Sequence, residues 1–208
     1  MHYLSQCDPM AGCGKTYPAD MLKCPHCGAD HAFSSPAPVD PKWWVYDIET
    51  YPNIFTATFI HVATGMELIY EISDRKNQHD ELNQFMFNLG RSGAWGVGFN
   101  NMSFDYPVLH YVAHNPGCTV DQIYNTAMQT IKSSNFNRWS VMVWDKQQVF
   151  PQLDLLLLNH FDNKARMTSL KALEVAMQSR NVKDLPFPVG MNLDDAQKDV
   201  LVKYNVHD

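Results

Sequence analysis

The stretch Trp43-Trp44-Val45-Tyr46-Asp47-Ile48-Glu49 decides the fold, because it joins a run of aromatic and β-branched residues to two acidic side chains. Such a run favours a β-strand. Side chains alternate between the two faces of a strand, so Asp47 and Glu49 point the same way while Ile48 points towards the core. An unpaired charge directly after four apolar or aromatic residues is costly. We therefore expect these two carboxylates to have a function.

The rest of the chain alternates between strand and helix patterns. Two more strands are predicted at 54–62 and 66–72, joined by the turn Thr64-Gly65, which gives an antiparallel meander. Further strands are predicted at 95–100 and 149–155, and helices at 78–89, 104–114, 121–132, 168–179 and 193–207. The last helix is expected to begin behind Asn192 as its N-cap. Three strands followed by alternating helices and strands predict an α/β domain with a mixed sheet.

Length and composition favour one sizeable domain with a small appendage. The chain has 208 residues, of which 45% are apolar and 18% charged, so a packed core is feasible. No apolar run approaches the length of a membrane span, and the N-terminus has no basic region followed by an apolar stretch. We expect a soluble, cytoplasmic protein with no membrane partner.

A proline-rich segment divides the chain into two parts. Residues 34–41 contain three prolines and two serines, which favour an extended linker. This linker separates a cysteine-rich head, residues 1–33, from a body at 42–208.

The head contains four of the five cysteines, and these four are Cys7, Cys13, Cys24 and Cys27. In the absence of an export signal, metal binding is favoured over a disulfide framework. The four thiolates could bind one structural Zn²⁺ as a zinc ribbon. The spacing from Cys7 to Cys13 is longer than in a zinc knuckle, so His26 or His31 could replace Cys7, and free thiols or a redox pair are the alternative. Cys118 is expected to be a buried or loop thiol.

Two further acidic motifs follow the first along the chain. Asp105 ends the sequence Asn101-Met102-Ser103-Phe104-Asp105, which lies where a buried strand gives way to a helix. Tyr204 and Asp208 are four residues apart and so share one face of a helix. Open α/β sheets place their sites at the carboxyl ends of strands. The three segments can therefore direct four carboxylates to one point.

These residue types suit phosphodiester hydrolysis. Mg²⁺ and Mn²⁺ prefer carboxylate oxygens, and two such cations about 3.5–4 Å apart can activate water and stabilise a leaving 3′ oxygen. Tyr204 would then position the attacking water. Asn101 and Phe104 would contact a single strand, the latter by stacking, and Thr50 would bond the terminal nucleotide. Asp154 could cap the following helix or support the site, and we favour the cap.

The formal net charge of −6 argues against a protein that binds a long nucleic-acid duplex through a basic face. Four of the negative charges belong to the proposed ligands, and two divalent cations would neutralise them. The charge is compatible with an enzyme that holds a few nucleotides at a strand end.

The three motifs together resemble the tyrosine branch of the DEDD superfamily of 3′–5′ exonucleases, and most closely the proofreading domain of bacteriophage family B DNA polymerases. The resemblance spans residues 43–208. The family motifs are Asp-x-Glu, then Asn followed by an aromatic residue and Asp, then Tyr-x-x-x-Asp. The histidine branch has His five residues before the last Asp, where this chain has Lys203.

The resemblance implies an RNase H-like (DnaQ-like) fold and a two-metal hydrolase. Its catalytic residues would be Asp47, Glu49, Asp105, Tyr204 and Asp208. The four carboxylates would hold two Mg²⁺ or Mn²⁺ ions, and the substrate would be a single-stranded DNA 3′ end. The segment containing Ser169, Leu170 and Lys171 resembles the element with which such domains contact single-stranded DNA. The family often has a catalytic-site lysine, for which Lys171 and Lys183 are both candidates.

Three interpretations of the whole chain follow from these observations. The first is the proofreading domain of a phage DNA polymerase, with the polymerase or another replication protein as its partner. The second is a stand-alone DNA or RNA exonuclease in repair or processing. The third is an inactive nuclease fold in which the zinc ribbon binds nucleic acid or protein. A metal ligand at the very C-terminus would fray, so we expect the chain to be either a fragment of a longer polymerase or a gene product that ends unusually early.

Overall fold

The structure, a computed structural model, describes residues 4–6, 13, 15–18, 26–27, 42–159, 168–179 and 182–207. The chain divides into two compact units, Met1–Pro41 and Lys42–Asp208. In the first unit, β1 (Leu4–Gln6) pairs antiparallel with β2 (Thr16–Pro18). The predicted linker lies outside the described residues, and so do Cys7, Cys24 and His31. The zinc ribbon therefore stays a prediction.

The second unit is built on a mixed five-stranded sheet. Its strands are β3 (Trp43–Tyr51), β4 (Ile54–His61), β5 (Glu67–Ser73), β6 (Trp95–Gly98) and β7 (Gln152–Asp154). They are arranged in the order β5-β4-β3-β6-β7. The first three form the predicted antiparallel meander, while β6 is parallel to β3 and β7 is parallel to β6. The prediction of an α/β domain with a mixed sheet is confirmed.

Six helices are found in the described part of this unit. They are α1 (His79–Arg91), α2 (Asp105–His114), α3 (Val120–Phe136), α4 (Leu155–Asn159), α5 (Leu170–Ala176) and α6 (Asp195–His207). The predicted N-cap of α6, Asn192, is wrong. The Asp194 carboxylate accepts a hydrogen bond from the Gln197 N–H, and the Gln197 side chain accepts one from the Asp194 N–H, both at 2.9 Å. This reciprocal capping box fixes the start of the helix two residues later.

The main core lies on one face of the sheet. Tyr46 and Ile48 of β3 and Phe59 of β4 are buried there together with apolar residues of α1, α2 and α3. Burying one such large side chain stabilises the fold by about 1.5–3 kcal/mol. The orientation of β3 is therefore fixed, and its alternate residues Asp47 and Glu49 face the other side.

Candidate functional site

Asp47 and Glu49 lie half-buried on the face of the sheet opposite the main core, as predicted. The register of β3 with β4 places Thr58 opposite Asp47 and Thr56 opposite Glu49. Side chains paired in this way share one face. Two carboxylates and two hydroxyl groups are thus presented together.

Helix α6 is bonded to this face through Asn205, which is only 2% exposed. Its Nδ2 donates to Asp47 Oδ2 at 2.7 Å, and its Oδ1 accepts from the Thr58 hydroxyl at 2.7 Å and the Thr56 hydroxyl at 3.4 Å. A carboxylate can only accept, so the amide nitrogen has to face Asp47. Asn205 therefore fixes the direction of the Asp47 carboxylate. Sequence reasoning missed this residue, because a single Asn on a helix has no distinguishing pattern.

Asp105 reaches the same place from a different segment. It is buried at the start of α2, and a side-chain hydrogen bond joins its carboxyl group to that of Asp47. The hydrogen bond with Asp47 lowers the pKa of Asp105. The structure thus brings the first two predicted motifs together.

The electrostatics of Asp105 follow from its burial. Burial, with a smaller contribution from the nearby Asp154 carboxylate, raises the pKa of Asp105 to about 7. The N–H groups of Asp105 and Ile48 donate to the carboxylate and oppose this rise. The Ile48 N–H is accessible because β6 pairs with β3 only as far as Val45. The carboxyl group of Asp105 occupies the edge of β3 beyond that point.

The third motif is described in part. Tyr204 is buried on α6, directly before Asn205, and α6 packs against β3 and β4. Asp208 lies outside the described residues. In the sequence it follows Asn205 by three positions and Tyr204 by four, the spacings of one helix face.

Two groups of ion pairs, each with one buried member, hold the first half of α6 against the end of β5. Lys198 is buried and pairs with Asp74 and, at 3.3 Å, with Asp195. Arg75 donates to the Glu71 carboxylate at 2.7 and 3.1 Å and pairs with Asp199 at 2.8 Å. Burial alone would raise the pKa of Glu71, but hydrogen bonds from Arg75 and Ser73 outweigh it and lower that pKa. The helix that carries Tyr204 and Asn205 is thereby fixed on the sheet.

Asp154 supports the segment that leads to Asp105. Its Oδ1 accepts from the Leu156 N–H at 2.9 Å at the start of α4, as expected of a helix cap. The same carboxylate also accepts from the N–H groups of Asn100 at 2.9 Å and Met102 at 3.3 Å. Asn100 adopts a left-handed backbone conformation, with φ of 62°. Asp154 thus stabilises the turn that delivers Asp105 to Asp47.

Asn101 has a structural position in this turn. It is 1% exposed, and its Nδ2 donates to the Tyr46 hydroxyl at 2.9 Å and to Gln152 Oε1 at 3.0 Å. Its Oδ1 has no hydrogen-bond partner among the described residues. A Cβ on Gly98 would lie 2.7 Å from the Asn101 Cβ, so only glycine fits there. The predicted contact of Asn101 with a DNA strand stays a prediction.

The other predicted substrate contacts are dispersed around the unit. Phe104 packs half-buried against the main core beside Asp105. Thr50 is largely buried and alternates to the face opposite Glu49. Ser169 caps α5 by accepting from the Ala172 N–H at 3.2 Å, Leu170 is half-buried at the start of that helix, and Lys171 pairs with Asp184.

The described residues do not include Asp208, Cys7 or Cys24. Within them, no three His, Cys, Asp or Glu side chains form a group that could hold a metal ion. Cys13, Cys27 and His26 are exposed in the first unit, and Cys118 is buried in the second.

Comparison with protein-family models gave no match, and comparison with curated protein sequences gave no significant match. In the described part of the chain, no helix is both long enough and apolar enough to cross a membrane.

Proposed function

We propose that residues 42–208 form an RNase H-like 3′–5′ exonuclease domain that hydrolyses single-stranded DNA 3′ ends. The observation that supports this best is the hydrogen-bonded pair Asp47 and Asp105, which come from separate segments and are joined to α6 through Asn205. The strand order β5-β4-β3-β6-β7, with its antiparallel meander and two parallel strands, is compatible with that fold. The arrangement agrees with the family resemblance of the three motifs.

The chemistry of the carboxylates suits divalent cations, and Glu49 and Asp208 would have to join Asp47 and Asp105 to complete the site. Two carboxyl groups held together at a partly buried position can bind a cation between them, and Mg²⁺ and Mn²⁺ prefer such oxygen ligands. Asp47, Glu49, Asp105 and Asp208 would hold the two ions. When bound, these ions supply Lewis acidity that activates water and stabilises charge on the leaving oxygen.

The side chains around the site would position the reactants. The Tyr204 hydroxyl would orient a water molecule whose oxygen attacks the terminal phosphorus while the bond from phosphorus to the 3′ oxygen breaks. The products would be a nucleoside 5′-monophosphate and a DNA strand with a new 3′ hydroxyl. Phe104, Thr50 and Asn101 would hold the terminal nucleotides, and Ser169, Leu170 and Lys171 would contact the strand.

The head would act as an accessory module. Cys7, Cys13, Cys24 and Cys27 would bind one structural Zn²⁺, whose binding energy would stabilise a unit too small for a large core. A polymerase domain or another replication protein is the partner that the family resemblance favours.

The test is digestion of 5′-labelled single-stranded DNA in Mg²⁺ or Mn²⁺. We expect a ladder that shortens from the 3′ end, a cleavage rate lowered at least about 100-fold by Asp47→Asn, and retained strand binding. Glu67→Gln removes an exposed carboxylate from β5 of the same sheet and should cleave normally. Cleavage by Asp47→Asn at the wild-type rate would exclude the proposal. A parallel digestion of RNA of the same sequence separates a DNA-specific enzyme from a general exonuclease.

A further inference from the structure

The segment that follows α3 exposes aromatic side chains while its own backbone is held in place. Phe136 is 96% exposed, Trp139 49% and Trp144 60%. Exposed rings contribute little to folding, since only burial removes them from water. All three rings lie within nine residues of the chain, and exposed apolar groups concentrated in this way are typical of interaction sites.

Local hydrogen bonds fix this segment. Asn137 Oδ1 accepts from the Trp139 N–H at 3.1 Å, and the Ser140 hydroxyl donates to the Asn137 carbonyl at 2.7 Å. The Gln148 amide donates to the Val143 carbonyl at 3.1 Å. The rings are thus presented on an ordered backbone, which lowers the entropy lost when a ligand binds them.

The same segment adjoins the elements that build the candidate site. The Gln148 amide contacts Met102 Sδ at 3.9 Å, in the turn that leads to Asp105. The Gln147 carbonyl lies 3.1 Å from His110 Nε2 on α2, and the Val149 N–H donates to the Tyr106 hydroxyl at 2.7 Å. Residues 147–149, which follow Trp144 in the chain, are therefore bonded to α2 and to the turn that leads to Asp105.

The charge of this segment differs from that of the whole chain. Residues 131–148 contain three basic residues and one acidic residue, a net charge of +2, whereas the whole chain carries −6. Lys132 and Lys146 are exposed there. Aromatic rings interleaved with cationic side chains suit a single strand, because bases stack on the rings while phosphates pair with the cations.

We propose that Phe136, Trp139 and Trp144 form a stacking surface for single-stranded DNA, which binds the strand upstream of the 3′ end. The inference deepens the proposed function and rests on it, because it assumes that the 3′ end enters at Asp47 and Asp105. The domain would then contact the DNA strand over a length that extends beyond the carboxylate site.

The test compares Phe136→Ala/Trp144→Ala with Phe87→Ala, which removes an exposed ring from α1. Binding of fluorescent oligothymidylates of about 4 and about 16 nucleotides is measured by anisotropy in EDTA, spanning known single-strand site sizes. We expect the double variant to lose at least about tenfold affinity for the long strand and less than about twofold for the short one. Phe87→Ala should bind both normally. Thermal unfolding of all three proteins should coincide, since the removed side chains are exposed.

The outcomes separate the two proposals. Suppose that wild-type protein cleaves DNA and that the double variant binds and cleaves long strands as well as wild type does. The stacking surface is then excluded, while the exonuclease proposal stands. The exposed rings would in that case serve a protein partner. If wild-type protein does not cleave, the proposed function fails. The anisotropy series then still decides the surface, because selective loss of long-strand affinity supports it and equal affinity overturns it.

Discussion

At the scale of single residues, the candidate site is centred on two carboxyl groups, those of Asp47 on strand β3 and Asp105 at the start of helix α2. Asp47 is aimed by strand alternation and by Asn205, whereas Asp105 is aimed by the turn that Asp154 stabilises. Neither carboxylate is placed by its own motif alone. The chemistry of the pair depends on side chains that lie far away in the sequence.

Asp105→Asn should stabilise the metal-free protein at high pH. The pKa of Asp105 is raised from 3.8 in the unfolded chain to about 7 in the folded protein, so the unfolded chain loses this proton first. The free energy of unfolding of wild-type protein therefore falls between about pH 4 and pH 7, and the neutral amide escapes that loss. Urea unfolding in EDTA should show the variant more stable by roughly 2–4 kcal/mol at pH 8. A variant no more stable than wild type at pH 8 would contradict a buried Asp105 with a raised pKa.

Sequence reasoning identified the residues of the pair but not their supports. Asp47 and Glu49 could be predicted because they follow an apolar run that a charge would not otherwise interrupt, and Asp105 because it lies where a buried strand gives way to a helix. Asn205 and Lys198 could not, because their importance comes from what α6 packs against. The positions of such residues are set by tertiary contacts, which leave no periodic pattern in the sequence.

At the scale of secondary-structure elements, the meander was predictable and the later elements less so. Aromatic and β-branched alternation identified β3, β4 and β5, and Gly65 adopts the positive φ of 68° that its turn requires. The strand predicted at 149–155 is only Gln152–Asp154. Val149 and Phe150 are apolar because they pack in the core beside α2, not because they pair in the sheet.

Helix α6 is the element that joins the sheet to the third motif, and Asn205→Ala tests that link. The substitution leaves the Thr58 hydroxyl and the Asp47 carboxylate without their amide partner, so we expect stability to fall by about 1–3 kcal/mol. Affinity for Mn²⁺ should fall about 10–100-fold, because side chains that orient a metal ligand contribute on that scale.

The measurement is calorimetric titration of Mn²⁺ together with urea unfolding. Lys203→Ala, an exposed position on the same helix, is the control and should change neither quantity. Loss of stability with unchanged Mn²⁺ affinity would show that Asn205 supports the fold without positioning Asp47.

At the scale of the whole molecule, the chain is acidic overall, whereas residues 131–148 are basic. The formal charge of −6 includes the four carboxylates of the proposed site, whereas residues 131–148 carry +2 and three exposed rings. A strand held through that segment would present its 3′ end to the carboxylates without a broad basic face. The molecule would then bind short single strands better than duplex.

The central claim is that Asp47 and Asp105 belong to one divalent-cation site, and Mn²⁺ binding tests it most directly. Titration followed by electron paramagnetic resonance should show two bound Mn²⁺ ions in wild-type protein and in Glu67→Gln. Asp47→Asn and Asp105→Asn should each lose at least one of them. Wild-type protein that binds no Mn²⁺, or variants that bind it as well as wild type, would contradict the account.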